Sequence, residues 1–228
     1  MVIGASGGIG GALAEALAAA GRHDVIHRFA RSLPSPHRID ITDEASVAAA
    51  AAVVGGHDAA PRLIIVATGL LHADGGRPER SLAEIDPVWM ARNFAVNAIG
   101  PALVAKHFLP LLPRTGRTVF AMLSARVGSI GDNRIGGWYS YRASKAALHQ
   151  LARGFAIAEA RRNADALVVA LHPGTVDTGL SAPFQRGLPA GQVTDPAVAA
   201  AHLLATIAAL TPAAAGRIFA WDGTEIIP

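Results

Sequence analysis

The sequence predicts an α/β fold: a single-domain, doubly wound parallel sheet of about seven strands with helices on both faces. Three observations predict it. Short apolar runs alternate with longer helical stretches along the chain. Those runs are apolar on both faces, as in strands covered by helices on either side. The chain opens with a strand, a glycine cluster and a helix in direct succession.

Strands are expected at residues 1–3, 25–29, 38–41, 63–67, 118–123, 167–171 and 218–221. The first is short for the centre of a sheet, where about five residues is usual. Either that strand is truncated or the start lies upstream, and a shortened strand would weaken the seat of the glycine turn behind it. Helices are expected at residues 9–20, 44–54, 87–112, 139–160 and 196–210. Asp43 is the expected N-cap of the second, because a short acidic side chain accepts from the free amides of a first turn. Residues 181–195 are rich in Pro and Gly and too long for an ordinary connection. They read either as a mobile lid over a substrate or as an ordered surface loop. No repeat or low-complexity linker interrupts the pattern, so one domain is expected over 1–228.

A chain of 228 residues can bury a sizeable core. Hydrophobic residues make up 51% of it, largely as alanine, yet no uninterrupted apolar run reaches the length of a membrane span. Residues 197–210 come nearest, and His202 interrupts them. No basic–apolar–cleavage pattern stands at the start. Cysteine is absent, which excludes disulfides, thiolate catalysis and cysteine metal sites and fits a cytoplasmic location. The formal net charge is +3 and no block of Lys and Arg stands out, so neither nucleic acid nor membrane is an expected partner. Arg161-Arg162 reads as a helix end. His23 and His27 share i, i+4 spacing but straddle an expected turn and strand, so no metal site is assigned.

The chemistry concentrates in Tyr141-Arg142-Ala143-Ser144-Lys145. Residues at i and i+4 share a helix face with Cβ atoms roughly 5–6 Å apart, so the Lys145 ammonium can stand close to the Tyr141 phenol. A free phenol titrates at about pH 10, and a nearby cation favours its ionised form. That tunes Tyr141 for proton transfer to or from a carbonyl or alcohol oxygen. Tyr139 is a rival phenol without a lysine four residues on. Near the start, Gly4-Ala5-Ser6-Gly7-Gly8-Ile9-Gly10 allows a tight turn and a close backbone approach to a pyrophosphate on a helix N-terminus.

Over almost the whole chain, and in the same order, these motifs resemble the short-chain dehydrogenase/reductase family, whose domain is of Rossmann type. On that resemblance Gly4, Ser6, Gly8, Ile9 and Gly10 form the cofactor turn, and Asp40 with Ile41 holds the adenine. Gly69 keeps a close backbone approach in Val66-Ala67-Thr68-Gly69, where the family's sheet-bracing asparagines are missing and a packing change is expected. Asn97, in Asn97-Ala98-Ile99-Gly100, would hold a water in a proton relay behind Lys145. Pro173, Gly174, Val176 and Thr178 would form the nicotinamide-side loop. Tyr141 would be the acid/base and Lys145 would bond the nicotinamide ribose, both touching the cofactor. Residues 124–142 look most like the C-factor and sniffer-type carbonyl reductase branch.

An acidic residue after the second strand would bond the ribose 2′-OH of NAD, whereas an Arg there accommodates a 2′-phosphate. This chain has Arg31 and Ser32 at that place and no carboxylate, which favours NADP(H) over NAD(H). Arg28 is a weaker second candidate. The family serine that bonds the substrate oxygen falls on Ala125, with Ser124 one residue earlier. Neighbouring strand residues face opposite sides, so Ser124 needs a bulge or turn to come inward. It is taken as the catalytic serine, with Ser129 as the substitute. His72 is the histidine placed near substrate; His172 reads as a strand-end residue. Trp138 and Phe184 line either pocket or core, and Phe155 belongs to the core.

The first functional reading is reversible hydride transfer between NADP(H) and a small aldehyde, ketone, quinone or alcohol. The second is a cofactor-binding signalling or regulatory protein of C-factor type with little turnover, which Ala125 favours and the Tyr141–Lys145 pair with Asn97 opposes. A sugar-nucleotide epimerase of the extended type fits poorly, because only fifty residues follow Thr178. The resemblance implies a homodimer or homotetramer formed through helices 87–112 and 139–160.

Overall fold

Successive residues of a strand face opposite sides, so strand parity decides which layer each side chain enters. The computed structural model describes residues 1–73, 75–189 and 191–228. Its strands are β1 (Val2–Ile3), β2 (Arg28–Phe29), β3 (Leu63–Val66), β4 (Thr118–Leu123), β5 (Ala166–His172), β6 (Thr175–Val176), β7 (Val193–Thr194), β8 (Ile218–Ala220) and β9 (Glu225–Ile226). Its α-helices are α1 (Gly8–Ala19), α2 (Glu44–Gly55), α3 (Pro87–Phe94), α4 (Gly100–Phe108), α5 (Tyr139–Ala160) and α6 (Pro196–Ala209). Seven strands make one sheet in the order β2-β1-β3-β4-β5-β8-β9, parallel except for the β8–β9 pair. This is the mostly parallel, helix-flanked architecture that the alternation of elements predicts.

Parity sorts the core into two layers. Ile64, Val66, Phe120 and Met122 point to one side, against Val47 of α2, Val104 and Phe108 of α4, and Leu148 of α5. Ile65, Val119, Ala121 and Leu123 point to the other, against Leu13 and Leu17 of α1 and Leu203 and Ile207 of α6. Burial of each large apolar side chain contributes roughly 1.5–3 kcal/mol. All six residues of β4 are buried, as a central parallel strand requires.

The first strand is only two residues long, yet it is paired on both sides, Val2 and Ile3 facing Arg28 and Phe29 in β2 and Ile65 and Val66 in β3. Gly4 N–H donates to Phe29 O at 2.8 Å and Ala67 N–H to Ile3 O at 2.7 Å, so the turn that follows is anchored from both neighbours. Asp43 caps α2 as expected, accepting from Ala45 N–H at 3.0 Å.

Several expectations are corrected or refined. Residues 38–41 are not a strand: only a single bridge, Ala30 to Arg38, forms there. Asp40 instead folds the chain locally, its carboxylate accepting from Thr42 N–H and Oγ1–H while its own N–H donates to Ser46 Oγ. The seventh strand of the sheet is β9, whose antiparallel return was not anticipated. The long helix at 87–112 is broken into α3, a π turn at Ala95–Ile99, α4 and a 3₁₀ turn at Leu109–Leu111. Among the described residues, this run Pro87–Leu111, and not 197–210, is the one long and apolar enough to cross a membrane by length and composition. It packs as a core helix, with Val104 and Phe108 fully buried. Finally, the 181–195 segment carries a 3₁₀ turn at Ala182–Phe184 and strand β7, which pairs with β6; Ala190 lies outside the described residues.

Glycine placement gives a test with two signs. A Cβ on Gly10 would sit 2.1 Å from Gly4 O, inside the α1–β1 contact, whereas one on Gly154 in α5 meets nothing within 4 Å. Gly10→Ala is expected to destabilise by roughly 2–3 kcal/mol in urea unfolding. Gly154→Ala is expected to stabilise by about 0.5–1 kcal/mol.

Candidate active site

Open α/β sheets carry their ligand crevice outside the carboxyl ends of the strands. Here the glycine turn after β1, residues 67–70 after β3 and the Ala30–Arg31 segment after β2 bound a groove of about 460 Å³. Gly4 has φ +88°, and a Cβ there would lie 2.9 Å from the Ala67 carbonyl. A Cβ on Gly8 would lie 2.6 Å from Thr178 Cγ2, so the loop after β6 rests on the start of α1. The first turn of α1 holds no acidic residue, which leaves its positive dipole end to an anion. This backbone cradle fits a dinucleotide pyrophosphate.

The other groove residues differ in how they face it. Ser6 and Arg31 are exposed on its wall, while Ser32 is exposed outside that lining. Asp40 lines it with a carboxyl held below its usual range by the Thr42 hydrogen bonds, with Arg31 adding to the effect. Ile41 lines it too and packs on Gly100, where a Cβ would lie 2.7 Å from Ile41 Cδ1. The Ile9 side chain joins the α1–α6 layer instead, which leaves only its backbone for the turn. Val176 is buried, and Gly174, at φ +79°, packs under the Trp221 ring behind Pro173. Thr68 was not picked out from the sequence as a groove residue. Its Oγ1 is buried without a partner beside the glycine turn, a signal only the fold supplies.

Beyond the groove, α5 carries Tyr141 and Lys145, 7% and 2% exposed. Lys145 Nζ donates to Leu123 O at 3.0 Å and lies 5.8 Å from the centre of the Tyr141 ring. Burial lowers the Lys145 amine to about 8 and pushes the Tyr141 phenol up. The expectation that the cation dominates the phenol is corrected: desolvation disfavours both charged forms and outweighs the ammonium. At neutral pH the phenol is a neutral donor and the amine stays mostly protonated.

Asn97 sits in the π turn, a distortion found mostly at functional sites. Its Nδ2 donates to Leu70 O and its Oδ1 accepts from Leu70 N–H, both at 2.8 Å. Nδ2 also donates to Ser144 Oγ at 3.1 Å, and that hydroxyl donates to Tyr141 O. A Cβ on Gly69 would lie 3.8 Å from Asn97 Oδ1 and 3.9 Å from Lys145 Nζ. Asn97, Lys145 and Gly69 are thus brought together where the groove ends. The Asn97 side chain braces the loop at Leu70.

The serine question resolves geometrically. Ala125 packs with Tyr141 and Leu71, joined by Val127, Trp138, Leu180 and Phe184. Ser124, taken from the sequence as the catalytic hydroxyl, instead bonds His149 Nε2 on α5 at 2.8 Å. Strand parity explains it: Leu123 faces α1 and α6, so Ser124 faces the α5 side. Ser129 accepts from Asp132 N–H in a turn. His72 bonds Gly179 O at 2.9 Å and packs obliquely on Phe184. The Trp138 ring packs near both Tyr141 and Phe184 in one apolar cluster, while Phe155 packs on the core.

His149 and His172 are both lowered to about 4, chiefly by burial, and each has a buried Nδ1 without a partner. In the unfolded chain such rings take a proton at about pH 6.5. Between pH 6.5 and 4 the unfolded chain therefore binds more protons and stability falls with acid, on the order of 3 kcal/mol for each ring. The contribution is complete above about pH 6.5. Urea midpoints are expected to drop between neutral and mildly acidic buffer, and His172→Gln is expected to flatten that decline.

Comparison with known proteins agrees with this geometry. The model of the short chain dehydrogenase family matches residues 1–188. C-signal of Myxococcus xanthus is 36% identical over 146 residues, 64% of this chain and 82% of that protein. The 1-hydroxy-2-glutathionyl-2-methyl-3-butene dehydrogenase of Rhodococcus sp. (strain AD45) is 31% identical over 186 residues, 82% of this chain and 76% of that one. NADPH-bound carbonyl reductase from chicken fatty liver superposes with a TM-score of 0.82 at 25% identity, over 100% of this chain and 97% of its own. Carbonyl reductase Sniffer of D. melanogaster shares the fold, with a TM-score of 0.80 at 20% identity over 99% and 97%.

Proposed function

Because the chain belongs to the short-chain dehydrogenase family, we propose that it transfers hydride between NADP(H) and a carbonyl or alcohol, with Tyr141 as the acid/base. The observation that carries this reading is the meeting of the buried Tyr141–Lys145 pair with Asn97 and Gly69 at the end of a glycine-lined groove. Gly4, Gly8 and Gly10 would hold the pyrophosphate, Asp40 and Ile41 the adenine end, and Pro173, Gly174, Val176 and Thr178 the nicotinamide end. The bound nicotinamide supplies or accepts the hydride.

The chain's own residues do the rest. As the carbonyl carbon gains hydride, its oxygen takes the proton of the Tyr141 phenol, which burial keeps protonated beforehand. Lys145, still cationic at neutral pH, stabilises the phenolate left behind. The bond to Leu123 O fixes where that charge stands. Asn97 sets the loop at Leu70 and, through Ser144, the height of Tyr141. Leu71, Trp138, Leu180 and Phe184 keep water from the reacting atoms.

Arg31 supports NADP(H) as the preferred cofactor: it stands exposed on the groove wall after β2, where a 2′-phosphate would meet its guanidinium. A homodimer or homotetramer belongs to the same proposal. Ile99 beside α4 and Ile157 on α5 leave apolar side chains 54% and 46% exposed. A second reading, a cofactor-binding signalling protein with little turnover, is favoured by one arrangement: Ala125 beside Tyr141, with Ser124 engaged by His149.

NADPH consumption against a panel of aldehydes, ketones and quinones tests the first reading. Turnover is expected, and Tyr141→Phe is expected to lower it by roughly 10²-fold or more. NADPH binding without turnover on any of them favours the signalling reading. For the cofactor, Arg31→Ala is expected to raise the NADPH dissociation constant roughly 10-fold or more and to leave NADH nearly unchanged, as loss of a charge-assisted bond would. Equal effects on both would overturn the preference.

A further inference from the structure

Helix α5 begins without a cap of its own. The residue before it, Trp138, has φ 51°, and no side chain at that position bonds the first turn. Left-handed backbone is unusual for a bulky residue, and such geometry persists only where surrounding contacts over-determine it. Here hydrogen bonds to one distant residue hold the chain on both sides of the turn. Glu79, 1% exposed, lies on the loop between β3 and α3. Its backbone oxygen accepts from Trp138 N–H at 2.6 Å. Its carboxylate accepts from Ser140 N–H at 3.2 and 3.3 Å and from the Ser140 hydroxyl in a short bond. Glu79 therefore grips the chain on both sides of Tyr139, immediately ahead of Tyr141. A buried carboxylate at a helix N-terminus also faces the positive end of the helix dipole, which offsets part of its desolvation.

We infer that Glu79 is the positioning residue of the active site, holding the left-handed turn at Trp138 so that the Tyr141 phenol and the Trp138 ring keep their mutual place over the substrate. It touches neither substrate nor cofactor; it acts through residues 138–141. The grip reaches two functional features at once. The Trp138 ring lies against Tyr141 at 6.2 Å between centroids and against Phe184 at 5.3 Å, so its backbone twist sets one side of the apolar cluster around the phenol. The first turn of α5 carries the phenol itself. A misplacement of about 1 Å at a reacting group can cost on the order of 10²-fold in rate, so a small slackening here has a large readout. This inference rests on the hydride-transfer reading for its kinetic consequence and on geometry alone for the anchoring.

Glu79→Gln keeps the side-chain volume but turns one acceptor into a donor facing the donors of Ser140. Ser140→Ala removes one bond and leaves Glu79 in place, and serves if the first variant folds poorly. Two readouts are taken on each: steady-state kinetics with NADPH and a carbonyl, and amide hydrogen exchange along α5. For Glu79→Gln we expect kcat to fall roughly 10–100-fold with NADPH affinity unchanged, and exchange to speed up at residues 138–142 but not at 146–158. Ser140→Ala should show the same pattern, smaller. Faster exchange with kcat untouched would overturn the positioning role and leave a plain helix cap. Unchanged exchange at 138–142 would overturn the anchor itself. If the unsubstituted protein reduces no carbonyl while binding NADPH, the proposed reaction fails, and exchange at 138–142 still decides whether Glu79 holds the turn.

Discussion

The arrangement depends on a buried lysine. Lys145 is 2% exposed and its ammonium donates to the carbonyl of Leu123, the last residue of β4. Burying a cation is costly unless it is bonded, and the cost shows as an amine lowered to about 8. The bond ties the first turns of α5 to the carboxyl end of the central sheet, where the crevice opens. Gly128 lets the helix approach: a Cβ there would lie 2.8 Å from Lys145 Cβ. Ser124 and His149 add a second tie lower on the same helix–strand contact. Tyr141 is therefore placed by a helix that cannot slide along the sheet.

Around that axis the polar groups bond one another and the surroundings of the Tyr141 ring are apolar. Asn97 spends both ends of its amide on Leu70, Ser144 and Asn93. Among the described residues, Tyr141 clusters with Ala125 and Leu71, and Val127, Trp138, Leu180 and Phe184 pack against them. On the proposed reaction, a carbonyl entering there would meet the Tyr141 hydroxyl against a background of carbon, the low-dielectric setting in which a single hydrogen bond counts most. The same dryness pushes the phenol up and keeps it protonated. Desolvation and the protonated state that the proposed acid role requires are two consequences of one packing arrangement.

Much of this was legible in the residues. Apolar runs buried on both faces announce a parallel sheet, and the glycine cluster between strand and helix announces a backbone cradle. Both follow from local rules: the period of the chain and the steric freedom of glycine. Asp43 caps α2 because a short acidic side chain can reach its own first turn. Residues 38–41 misled for the opposite reason. Ile39 and Ile41 are apolar and buried like strand residues, but Asp40 and Ser46 satisfy the backbone locally, and no periodicity reveals that choice. The π turn at Asn97 and the return strand β9 were equally invisible, since each depends on what the rest of the chain packs against it.

The sequence by itself determined the family, the layered α/β architecture and the Tyr141–Lys145 pair, because spacing on a helix and order along a chain are properties of the chain alone. Only the tertiary structure decided which way Ser124 faces, that burial outweighs the Lys145 charge at the phenol, and that Glu79 closes the start of α5 from a loop some sixty residues away. Those outcomes turn on desolvation and on contacts between distant segments. Neither exists until the sheet has assembled and its layers have excluded water.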